Sequence, residues 1–267
     1  MSEPTDALEA PERSGEESGP GLYGKVSKKG DFVTRRLPRT FVDPWDAWLQ
    51  SAMANSRDKL GGDWLDAYLN APIWRFALSA GICGDAVVAG VLMPSVDKVG
   101  RHFPLALAAV FDEQVLPTQV MTSGADWFAV LEDLALSTLE DDFDFDDFDK
   151  SLADSTFEGN SETTAMFFGP ARALEGRNWR LAIDPSSALG PGDPMVTHQI
   201  LRSFMPRYSI WWCAGAERVA PSFLACEDLP SKDSFTALLD GDWGQWNWAG
   251  TKPGAMPWAE DEAETPA

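Results

Sequence analysis

The chain has 267 residues, 21 of them basic and 42 acidic, for a formal net charge of −21. That balance argues against a general nucleic-acid binder, which must neutralise phosphates, and against docking on an anionic membrane surface. Three cysteines, at 83, 213 and 226, give an odd count with no CxxC spacing, so neither a disulfide framework nor a zinc site is expected.

Residues 1–20 hold six acids against Arg13 alone and are expected to be a disordered acidic tail. Met1 is followed by acids, not by a basic region and an apolar core, so no secretory leader is expected. No apolar run approaches the roughly 20 residues a bilayer demands, so membrane insertion is not expected and the chain reads as cytoplasmic. Two strand-like pieces, 23–26 and 31–33, flank the turn Ser27-Lys28-Lys29-Gly30. Asp43 and Pro44 then predict a helix start, as cap and first helical residue. Trp45, Trp48, Leu49, Ala52 and Met53 share one helical face, and Gly61-Gly62 marks its end. Asp63 is expected to cap a short helix, WLDAYL.

Three apolar runs, IWRFALS, AVVAGVLM and HFPLALAAVF, predict a meander of strands. A helix is expected over 125–140, its face made by Trp127, Phe128, Leu131, Leu134, Ala135 and Leu139. This order predicts an α+β fold, an antiparallel sheet flanked by helices, with a longin- or profilin-like N-terminal lobe over 21–140. Residues 141–163, opening on DDFDFDDFD, are expected to be an acidic connector. A second α+β lobe, 164–243, is expected to pack on the first. It offers strands TAMFFG and WRLAID, a helix from Asp193-Pro194 to about residue 205, strands YSIWWCA and SFLAC, and a last helix closed by Gly241. Residues 244–267 form a Trp-rich, acidic tail that either straps onto the body or offers aromatic anchors. Trp211 and Trp212 are adjacent in one strand and must point to opposite faces, so one of them meets a helix layer or a partner.

Candidate chemistry is sparse. GPGLYGKV, 19–26, matches G-x-G-x-x-G-x-V, and it nearly matches a phosphate loop, but Val26 stands where Ser or Thr must bind magnesium. An acidic tail precedes it and a turn follows, whereas a phosphate loop needs a strand before and a helix after. His102 and His198 have no second ligand at i+3 or i+4. Ser95, Asp97 and His102 suggest a small hydrolase or phosphotransfer enzyme, although they lie too close along the chain for the usual triad geometry. The simpler reading is a polar loop in which Arg101 pairs with Asp97. DDFDFDDFD lacks the spacing and closing Glu of a calcium loop. It reads as an acidic-aromatic segment that docks on a basic, apolar groove, or as a connector tacked down by its phenylalanines. No catalytic residue, metal or cofactor is assigned.

Several strings carry a family resemblance. GLYGKVSKKGDFV, LPRTFVDPWDAWL, WLDAYLNAPIWRFAL, AGVLMPSVDKVGRHFPL, YSIWWCAGAERVAPSFLAC and FTALLDGDW together resemble the TagF-type proteins associated with bacterial type VI secretion. The resemblance implies an accessory protein that represses type VI secretion after translation. Its implied partner is the forkhead-associated scaffold protein of the apparatus, whose binding limits assembly. It implies interaction and not catalysis. Arg35, Arg36, Arg39 and the loop of Ser95, Asp97 and Arg101 lie inside the most family-like strings. With Trp211 and Trp212 they are the candidate protein-binding residues.

Overall fold

The computed structural model describes residues 19–112, 114–158 and 193–249. The expected strands TAMFFG and WRLAID, Trp179, Trp258 and most of both acidic tails lie outside the described residues. The chain opens with strands β1 (Gly21–Gly24) and β2 (Val33–Arg35), then helices α1 (Arg39–Leu60) and α2 (Trp64–Leu69). Strands β3 (Trp74–Leu78), β4 (Val87–Met93) and β5 (Leu105–Phe111) follow. Next come helices α3 (Pro117–Ser123), α4 (Ala125–Ser137), α5 (Phe145–Asp154) and α6 (Pro194–Phe204). Strands β6 (Tyr208–Cys213) and β7 (Ser222–Glu227) and helix α7 (Ser234–Asp240) complete it. Among the described residues no helix is long and apolar enough to cross a membrane.

All seven strands among the described residues join one antiparallel sheet in the order β2-β1-β5-β4-β3-β6-β7. The fold is therefore α+β, as the pattern predicts, and the meander β3-β4-β5 forms its centre. Among the described residues the strands of the second half join this same sheet, where β6 pairs with β3 and extends it. Alternation along the strands gives the sheet two inner faces. Helices α1, α2 and α7 cover one, over Trp45, Phe76, Trp211 and Phe235. Helices α3 to α6 cover the other, over Leu22, Val91, Phe128, Leu152 and Tyr208.

Three local expectations are corrected. Helix α1 starts at Arg39, so Asp43 does not cap it and Pro44 lies inside it. Pro44 removes one helical N–H, but starting a turn earlier buries Phe41 against Trp45, worth about 2–3 kcal/mol. Asp63 ends a short 3-10 turn and stands immediately before α2 without a side-chain cap bond. The acidic connector contains a helix, α5, whose Asp144 carboxylate accepts from the N–H groups of Asp146 and Asp147. Phe148 and Leu152 bury its apolar stripe. Beyond α7, Trp246 and Trp248 donate to Asp240 and the Ser234 carbonyl, so this part of the Trp-rich tail straps onto the body.

Candidate functional site

The family-like loop 95–101 leaves the end of β4 and returns through an isolated bridge between Val96 and His102. Its base is held from both sides. The Tyr68 hydroxyl, from α2, donates to the Ser95 carbonyl at 2.8 Å and accepts from the Ser95 N–H at 2.9 Å. Ser95 Oγ donates to the Lys25 carbonyl at 2.8 Å.

Asp97 organises the turn itself. Its side chain is fully buried, and it accepts from Lys25 Nζ at 2.5 Å, Arg101 Nε at 2.7 Å, and the N–H groups of Val99 and Arg101. Burial alone would raise the Asp97 carboxyl. The Lys25 ammonium, then the Arg101 and Val99 donors, outweigh it and hold the carboxyl well below the ordinary carboxylate range. Lys25 is itself buried and lies 4.7 Å from the centroid of Phe32. A buried charge is tolerated only with a partner, so the Lys25–Asp97 pair locks the loop to the 27–32 turn beside β1. Lys98 N–H donates to the Lys29 carbonyl at 3.4 Å, and the Arg101 guanidinium donates to the Gly30 carbonyl.

This clamp leaves the tips outward. Val99 is 65% exposed and Phe32 47%, and the Lys98 and Arg101 side chains flank Val99 in the loop and are exposed. The loop and the turn are bonded to each other, and each exposes one apolar side chain near cations.

Ser95, Asp97 and His102 are engaged separately. The Ser95 hydroxyl and the Asp97 carboxylate are bonded as above, and His102 lies edge-on to Trp64 and Tyr68. Burial, then the Arg57 guanidinium, hold His102 below its ordinary value, against a weaker pull from Asp97. The simpler reading, with Arg101 paired to Asp97, describes the loop.

The expected arginine ridge splits. Arg39 is exposed at the start of α1. Arg35 is half exposed and points to α5, 3.9 Å from Asp149 and 5.7 Å from the Phe145 ring centroid. Arg36 is buried and donates to the Pro20 carbonyl at 2.8 Å and to Asp149 at 2.7 Å. Its φ of 54° lies in the left-handed region, so these bonds hold a strained backbone. Arg36 thus fastens α5 to the sheet. Trp211 is fully buried between Trp45, Trp48 and Phe76, so it cannot anchor a partner; Trp212 packs edge-on to Phe128 of α4.

Lys25, Tyr68 and Phe32 were missed as site residues. One signal was available for Lys25. It continues the alternation of Tyr23, which faces the core, so a lysine there stands at an inward position.

A family model described as the TagF N-terminal domain, type VI secretion system-associated, matches residues 21–155. The matched span includes the clamp and the whole of α5. The crystal structure of PA0076 from Pseudomonas aeruginosa PAO1 is similar at 35% sequence identity and a TM-score of 0.68, over 84% of this chain and 94% of that one. No curated protein matches the chain with significance. With a family model spanning the clamp and a relative aligned along most of both chains, this chain belongs to the TagF family of type VI secretion-associated proteins.

Proposed function

We propose that the chain represses type VI secretion after translation by binding the forkhead-associated scaffold protein of the apparatus in the cytoplasm and limiting assembly. The observation that carries this reading is the Lys25–Asp97–Arg101 clamp. It spends the polar groups of the family-like loop on internal bonds and presents Val99 and Phe32 to solvent. An apolar centre with a polar rim is the anatomy of a protein-binding patch. A complete interface of this class buries about 800 Å² per partner, so the patch is its centre and not its whole extent.

The test is calorimetric titration of the purified chain into the purified scaffold protein, paired with a secretion assay in cells that overproduce the chain. A saturable complex and reduced effector release are expected. Absence of a complex, with secretion unchanged, would overturn the reading.

A further inference from the structure

One cationic surface runs from Arg35 and the 27–32 turn to the 95–101 loop, and this chain's own acidic segment already occupies one end of it. There Lys28 Nζ donates to the Asp141 carbonyl at 2.9 Å, and Lys29 Nζ lies 4.4 Å from the Phe145 ring centroid. Arg35 flanks the same ring, and Arg36 pairs with Asp149. The other end is open: Lys98 and Arg101 stand exposed beside Val99 and Phe32. The two ends are continuous, because backbone and side-chain bonds tie Lys98 to Lys29 and Arg101 to Gly30. Within 25–32 and 98–101 the cations are Lys25, Lys28, Lys29, Lys98 and Arg101, and the one carboxylate besides the intervening loop's Asp97 is Asp31. Asp144 and Asp146 stand beside Lys28 and Lys29, so at the open end Lys25, Lys98 and Arg101 against Asp31 and Asp97 leave a small local excess of positive charge on a chain of net charge −21.

We infer that the open end takes an acidic protein segment that carries an aromatic or aliphatic side chain. The occupied end shows the chemistry the surface accepts: the Asp149 carboxylate on its arginines, a backbone carbonyl on Lys28 and a phenyl ring under Lys29. At the open end the apolar side chain rests on Val99 and Phe32, and its flanking carboxylates meet Lys98 and Arg101. The inference rests on the scaffold-binding reading for the partner's identity, and not for its chemistry.

The test uses the full chain and a fluorescein-labelled peptide of sequence DDFDFDDFD, with NNFNFNNFN as its uncharged counterpart. Anisotropy is read at about 50 and about 200 mM NaCl, where screening lengths differ by roughly twofold. The acidic peptide is expected to bind, and to bind several-fold more weakly at the higher salt. It is expected to lose roughly tenfold or more in affinity to Lys98→Glu/Val99→Asp, and nothing to Lys232→Glu. Both altered loop residues are exposed, and an unchanged melting curve verifies that the variant is folded. No binding, equal binding of the uncharged peptide, or binding indifferent to Lys98→Glu/Val99→Asp would overturn the inference. Scaffold titration run beside it separates the two claims. Peptide binding without scaffold binding removes the scaffold reading alone, whereas a scaffold complex with no loop-dependent peptide binding removes this inference alone.

Discussion

Trp211 and Trp212 are neighbours in β6, yet they meet two differently built faces of one sheet. Trp211 stacks on Trp45 with centroids 6.1 Å apart and is sealed from solvent. Three indole N–H groups near it find backbone or hydroxyl partners, Trp48 on the Pro230 carbonyl, Trp74 on the Leu238 carbonyl and Trp64 on Ser56, whereas the buried Trp45 N–H has no partner among the described residues. Trp212 is half-buried against Phe128. Its face is completed by α5, an acidic helix with two buried side chains, and by α6, which buries His198 beside Tyr208. Ring packing dominates the first face, with the buried Lys25–Asp97 pair at one end of it. The second leans on amphipathic helices whose rims carry charged or titratable groups, so its stability depends on sequence details and on pH.

Four experiments break or sharpen that contrast. Trp211→Ala should cost about 3–5 kcal/mol, read by urea denaturation, since a fully buried indole leaves a large cavity. Leu152→Ala should cost about 3 kcal/mol by the same measurement; a near-zero cost would show α5 to be an appendage and not part of the second face. The third experiment varies pH. Burial, then the Arg202 guanidinium, push His198 down to about 4 from an ordinary 6.5. The unfolded chain therefore takes up a proton that the folded chain refuses. The contribution is fully present above pH 6.5 and is lost as pH falls toward 4. Stability should drop by about 2 kcal/mol between about pH 7 and pH 5 beyond the background of the other groups, and His198→Gln should flatten that part of the profile. Trp212→Ala should cost least, about 1–2 kcal/mol. A loss equal to that of Trp211→Ala would erase the distinction between the faces.

The same contrast decides what was legible in the sequence. The faces of α1 and α4 and the meander β3-β5 were readable because their apolar spacing matches a structural period, except that Leu139 is exposed beyond the end of α4; the alternation of Trp211 and Trp212 followed from strand geometry alone. Helix α5 was not, although Phe145, Phe148 and Leu152 keep helical spacing. Its density of aspartates reads as a solvated connector, yet acids in a first turn favour the helix by meeting free N–H groups. The Lys25–Asp97 clamp was hidden for another reason: its partners are far apart in the chain, and only the pairing of β1 with β5 brings them together. Pro44 misled because a local start signal competed with the burial of Phe41, and packing won.

The join between β3 and β6 sets an order of events. Arg75, Phe76, Ala77 and Leu78 wait for Trp212, Trp211, Ile210 and Ser209, which the ribosome delivers much later. Until then the nascent chain carries a raw strand edge beside an uncapped row of indoles, a surface prone to pair with its twin on a neighbouring polysome. A truncation ending near residue 155, where the family match stops, is trapped at that stage and should be recovered chiefly from inclusion bodies.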